Sequence, residues 1–232
     1  MGAAGFDASA AGLPERANVP WRPRTDAVAL QEAGRRWTRS LLAQVLPIAA
    51  TGLFFLFLGL IPAVVGLILL AHAWVIPELY ANRGAAVLHA HGGAGPDAER
   101  RALLLLGDLV SDEARRLHAE TGLILERGAF GVWLLAEAGG VLVADGGQRV
   151  FCYCVKVRGS DLPTSDQIAH LLLALRCEER DFLTVANLAF SGAPWRLRRR
   201  LAPEQRLALD AARAAAAEVA DGPVVTGATA AA

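Results

Sequence analysis

The chain is short of several residue types, and each shortage narrows what it is. Only three of its 232 residues are cysteine, an odd number in no framework spacing. A disulfide scaffold is therefore excluded, and reduced thiols in a cytosolic compartment are expected. Lysine occurs once, at Lys156; every other Lys or Arg position is arginine. With the heavy use of alanine, this bias reads as the codon signature of a GC-rich bacterial genome. Net charge is also missing. The formal value is zero, from 23 basic and 23 acidic residues, so no global field favours nucleic acid or an acidic partner. Phosphate-binding loops, dinucleotide fingerprints and serine nucleophile elbows are lacking too. "GGAGPD" and "ADGGQR" are Gly-rich but have neither the Lys-Ser/Thr pair nor GxGxxG, so they read as a linker and a turn.

What the chain has in excess is apolar surface. Hydrophobic residues make up 54%, and one block differs in kind from the rest. From Leu41 to Ile76 no side chain is charged. As one straight helix this run would reach roughly 54 Å at about 1.5 Å per residue, far beyond a hydrocarbon core of about 30 Å. Two short spans, about 41–58 and 63–80, fit better, with a turn near Leu58-Gly59-Leu60-Ile61-Pro62 where Gly59 relaxes the backbone and Pro62 lacks an N–H. A re-entrant hairpin and one long helix kinked at Pro62 stay open, because "FLGLIP" offers no polar residue to the far side. The flanks agree with a hairpin. Arg35, Arg36 and Arg39 precede the run, and Arg83, Arg100 and Arg101 follow it. Basic flanks mark the cytoplasmic side, and Trp37, Trp74 and Tyr80 would belt that interface. The run is too long and starts too late for a secretory signal. A bacterial inner-membrane protein with both termini in the cytoplasm is expected.

Residues 1–28 carry Gly, Pro and Ala without apolar period and are expected to be disordered. An interfacial helix and the membrane hairpin fill 29–82, and a Gly-rich linker fills 83–96. Residues 97–220 form a cytosolic domain, and 221–232 are a frayed tail. In that domain Leu103, Leu106, Val110, Ala114 and Leu117 recur at helical steps, which predicts one helix over 98–121 stopped by Gly122. "LILER", "AFGVWLLAEA", "GVLVAD" and "RVFCYCVKV" read as strands separated by hairpin-turn residues. "LPTSDQIAHLLLALRCEERD" reads as a helix, "FLTVANLAF" as a last strand, and "PEQRLALDAARAAAAEVA" as a terminal helix opened by Pro203. The expected class is α+β, with helices covering a small mixed sheet of four or five strands.

Four stretches carry candidate chemistry. In "FCYCVKV", Cys152, Cys154 and Lys156 share one strand face. With Cys177 and His170 the cysteines would make a zinc set, but the spacing departs from the usual C-x(2–4)-C, and buried cysteine as a small hydrophobe is the favoured reading. The order helix, three strands, helix, strand resembles the core of restriction-endonuclease-like nucleases, including nuclease-related domains found on bacterial membrane proteins. That resemblance covers about half the chain and rests on element order and Lys156. It implies a carboxylate at one strand end and a Glu-x-Lys pattern on the next, holding a metal that activates water. Cys154 stands where the Glu would be, leaving Glu137 and Asp145 as nearby acids, so a divergent or inactive relative is implied. His89 and His91 in "HAHGG" read as polar linker residues, and His72 as an interfacial side chain. Finally, "PWRLRRRL" places Trp195 beside Arg196, Arg198, Arg199 and Arg200, the densest charge in the chain. On a tethered domain these five residues are the candidates for contact with an anionic leaflet; a solvated basic loop is the competing reading.

The expected function is a membrane-anchored interaction or scaffold domain, without catalysis, metal or cofactor. The nuclease-like reading is the alternative. The lipid bilayer is the expected partner and nucleic acid is not. Gly52, Gly59 and Gly66 leave helix packing in a homo-oligomer, or against a protein partner, open.

Overall fold

The computed structural model describes residues 25–89, 94–155 and 162–221, without the side chains of 220 and 221. The fold is α+β, with two N-terminal apolar helices and one five-stranded antiparallel sheet. The helices are α1 (Ala27–Leu56) and α2 (Leu60–Ala86), then α3 (Pro96–Leu109) and α4 (Asp112–Thr121). Four strands follow: β1 (Ile124–Arg127), β2 (Val132–Ala136), β3 (Gly139–Ala144) and β4 (Arg149–Cys154). Next come α5 (Thr164–Cys177), α6 (Glu179–Val185), β5 (Asn187–Gly192), α7 (Pro194–Arg198) and α8 (Pro203–Asp221).

The uncharged run folds as a helical hairpin. Asp26 starts α1, its carboxylate accepting from the Ala29 N–H at 2.7 Å. The chain reverses over Phe57–Gly59, where Gly59 adopts φ 114°, a conformation costly for any residue with a Cβ. Pro62 falls in the first turn of α2, where its missing N–H costs nothing. The arms meet at Gly52 and Gly66. A Cβ on Gly66 would stand 2.6 Å from the Gly52 carbonyl oxygen, so only glycine permits this approach. These two glycines are thus occupied inside the hairpin.

The sheet is a meander in the order β1-β2-β3-β4-β5. The sequence suggests a mixed sheet; every pairing is antiparallel. The reason lies in the connection after β4. Two helices, α5 and α6, return the chain to the end where β4 stopped, so Asn187 pairs with Cys154 and β5 runs back along its neighbour. Alternation along the strands, broken only by a register shift in β5 opposite Cys152 and Tyr153, divides the side chains. Val132, Leu134, Val141, Val143, Val150, Cys152 and Phe190 pack on one face with Ala208, Leu209 and Ala212 of α8 and the base of α2. Trp133, Leu135, Leu142, Phe151 and Tyr153 pack on the other with Ile168, Leu172 and Leu175 of α5, Phe182 of α6 and Leu106 of α3.

Three boundaries differ from the sequence expectation. The helix expected over 98–121 is two helices, because Ser111 caps α4 by accepting from the Ala114 N–H, although the apolar period runs across the break. Residues 182–185 of the expected last strand belong to α6, where Phe182 and Leu183 are buried and Phe182 meets Trp133 edge-on at 5.3 Å; tertiary packing overrides their β propensity. The linker expected from residue 83 begins inside a helix. α2 continues to Ala86, and Ala81, Ala85, Val87 and Leu88 are buried in the sheet core. Gly84 allows this contact: a Cβ there would lie 2.7 Å from Phe190 Cβ and 3.0 Å from Cys152 Sγ. The base of α1 is equally embedded, with Leu30 buried against the opposite core and Thr38 accepting from Arg149 at 3.1 Å.

Candidate membrane interface

Beyond their embedded bases, the two helices project apolar arms. At about 1.5 Å per residue, the stretches from Leu41 to Leu56 and from Leu60 to Pro77 are about 24 and 27 Å long, close to a hydrocarbon core of about 30 Å. Leu46, Phe54, Phe57, Leu60, Ile61, Leu67 and Ile68 all stand exposed, Leu60 at 86%. His72 is also exposed, its Nδ1 2.8 Å from the Ile68 carbonyl oxygen one helical turn back. That hydrogen bond is local to the helix.

Charge begins abruptly at the base. Arg35, Arg36 and Arg39 lie on α1, with Arg36 paired to Glu32 at 2.8 Å. On α2 the Arg83 guanidinium lies 6.0 Å from the Tyr80 ring. Trp37 packs edge-on against Tyr80 at 5.6 Å, and the two border a small cleft of about 80 Å³ with Ser40, Leu41 and Gln44.

The five residues of "PWRLRRRL" sit at this level. Pro194 opens α7, and buried Leu197 pins it to the core. Arg196 and Arg200 then reach Glu78 of α2, at 3.5 and 2.5 Å. Glu78 is 5% exposed, and its Oε1 accepts no hydrogen bond. A buried carboxylate needs such partners, because desolvation without them costs several kcal/mol. Two guanidinium groups lie near the Trp195 ring, Arg196 at 4.7 Å and Arg199 at 5.9 Å from its centroid. Arg198 belongs elsewhere: it grips Asp210 of α8 through Nε and Nη2 at 2.9–3.1 Å. The cluster therefore splits, with Arg196 and Arg199 on Trp195, Arg196 and Arg200 on Glu78, and Arg198 turned to α8. Sequence reasoning misses Glu78. Its signal is nonetheless there, since it is the only acid between Glu32 and Asp97 and the first charge after the apolar run.

The other candidates disperse. Cys152 is fully buried against α2, and burial pushes its thiol pKa well above the usual range. Cys154 and Cys177 are exposed, and Cys177 ends α5, which covers the sheet face opposite to Cys152. His170 is exposed on α5. Glu137 and Asp145 flank opposite ends of β3, about 20 Å apart at roughly 3.3 Å per residue. Glu137 serves the fold, accepting from Thr164 Oγ1 at 3.1 Å and Gln167 Nε2 at 3.4 Å. With Glu99, which accepts from the Ser165 N–H and hydroxyl, it brings negative charge to the start of α5, where the preceding Pro163 supplies no side-chain cap. Among the described residues no three His, Cys, Asp or Glu stand together as metal ligands. Lys156 and His91 lie outside the described residues. His89 lies 3.0 Å from the Ala85 carbonyl oxygen through Nδ1, a contact within its own chain turn.

No protein-family model, curated protein or solved structure matches this chain.

Proposed function

We propose that the chain is an integral membrane protein whose α1–α2 hairpin is embedded in the bacterial inner membrane and holds the α+β domain at the cytoplasmic surface as an interaction or scaffold module. One observation carries the reading: the most apolar windows of α1 and α2 are only 6% and 17% buried. A core helix of a water-soluble domain is covered by its own chain, whereas these arms leave a continuous apolar surface with no cover from the described residues. The arm lengths, the arginines at both bases and the aromatic side chains at the same level support bilayer insertion. The shared core of hairpin and sheet supports a fixed platform over a loosely tethered domain.

The test is extraction and topology. Carbonate washing should leave the full chain in the membrane pellet, and detergent should release it. Leu67→Arg combined with Ile68→Arg should move it to the soluble or aggregated fraction. A membrane-impermeant maleimide should label exposed Cys154 and Cys177 in inside-out vesicles and spare them in right-side-out vesicles. Release by carbonate, or labelling from the periplasmic side, would overturn the reading.

A further inference from the structure

We infer that the arginine shelf of α7 binds the phosphate of an anionic phospholipid whose acyl chain lies along α2. The inference rests on the membrane reading above and adds the chemistry of the lipid. Leu60, Val64, Leu67, Ala71 and Trp74 follow one another at steps of three and four, so they form one face of α2, and all five are exposed. The next step on that face is Glu78. The stripe of lipid-facing side chains thus runs down onto the carboxylate that Arg196 and Arg200 grip. From Leu67 to Trp74 it spans about 10 Å of helix, within a leaflet depth of about 15 Å. A chain lying there brings its headgroup to α7.

The shelf suits a phosphate. Arg196 and Arg200 share the one carboxylate of Glu78 and Arg199 stands beside them on Trp195, so the three guanidinium groups with Glu78 retain two positive charges. Glu78 holds two of the guanidinium groups in place, and the Trp195 ring stacks Arg196 and Arg199. Their remaining N–H edges are then preorganised for phosphate oxygens, which guanidinium groups bind in bidentate fashion. Trp195, 45% exposed, offers an amphipathic ring at headgroup depth. Arg198 takes no part, because Asp210 occupies it.

The test uses the full chain in nonionic detergent, offered equal phosphatidylglycerol and phosphatidylcholine, with bound lipid counted by native mass spectrometry. Phosphatidylglycerol should be retained preferentially. Arg199→Gln touches neither Glu78 nor the core and should reduce that preference about five-fold. Removing the buried carboxylate together with its partners, in Glu78→Gln/Arg196→Gln/Arg200→Gln, should reduce it further while helical content by circular dichroism stays unchanged. Equal retention of both lipids by the parent chain, or an unchanged preference in both variants, overturns the inference. Displacement of phosphatidylglycerol by excess inorganic phosphate would assign the shelf to a soluble phosphate compound and also overturn it. Failure of the membrane reading is distinguishable, because carbonate would then strip the chain from membranes whatever lipid it prefers.

Discussion

At Glu78 the acid is buried and its partners are not, and this asymmetry decides what each substitution costs. Arg200→Gln leaves a desolvated carboxylate with only Arg196, 3.5 Å away, and should destabilise the domain by about 2–3 kcal/mol. Glu78→Gln leaves partly exposed arginines that water can solvate and should cost within about 1 kcal/mol. Thermal unfolding of the two variants in detergent checks the order; equal losses would refute it. His118 supplies a pH dependence. Burial lowers its pKa from the ordinary 6.5, and the nearby Glu99 carboxylate only partly opposes this. The unfolded chain therefore binds more protons than the folded one just below pH 6.5. The contribution is present above that value and is lost as the pH falls through the lower folded value. Unfolding midpoints measured from about pH 7.5 down to about 5 should decline, and His118→Gln should flatten the decline.

Single contacts set the geometry of whole elements. The Glu179 carboxylate, at the start of α6, accepts from the Ala129 N–H at 2.5 Å, the Phe130 N–H at 3.4 Å and Trp133 Nε1 at 2.6 Å. It ties the β1–β2 loop to α6 and satisfies the indole of a buried tryptophan. Glu179→Ala should cost about 2–3 kcal/mol, because charge-assisted bonds are lost and a buried donor is orphaned. Chemical denaturation followed by Trp fluorescence measures this, and a loss below about 0.5 kcal/mol would contradict it. In the hairpin, Gly66→Val must push α1 away from α2, since even a Cβ meets the Gly52 carbonyl. Thermal unfolding in detergent should place Gly66→Val below the parent chain, while Leu67→Val, on the exposed face of α2, should leave the midpoint unchanged.

For the molecule as a whole, the bases of the two apolar helices belong to the hydrophobic cores of the sheet, α2 on one face and Leu30 of α1 on the other. Ala81, Ala85, Val87 and Leu88 lie against Cys152 and Phe190 as core side chains. A fragment of residues 94–221 removes that layer and bares one face of β4 and β5. It should bind a hydrophobic dye and unfold without a cooperative transition. Residues 25–221 with the span 41–76 replaced by a short polar connection retain both helix bases and should unfold cooperatively. A cooperative 94–221 fragment would mean that the two parts are independent.

Much of this organisation is legible in the sequence because it is local. The uncharged run, its basic and aromatic flanks, Gly59 at the reversal, the alternation of the strands and the Pro203 helix start are all patterns within a few residues. They determine two apolar helices and an α+β domain. The boundaries that escape a sequence reading are those where a distant residue decides. Trp133 and Glu179 hold residues 182–185 in a helix, and the sheet face around Phe190 draws the supposed linker into α2. The candidate site divides the same way. A cluster of arginines beside Trp195 can be read directly, but nothing in that segment says that Arg198 belongs to Asp210 or that Arg196 and Arg200 belong to Glu78. Those partners are 12 to 122 residues away along the chain, and only folding brings them within hydrogen-bond reach. Composition and period determine which surfaces are apolar or basic; tertiary packing decides which charges are neutralised and which remain to face a ligand.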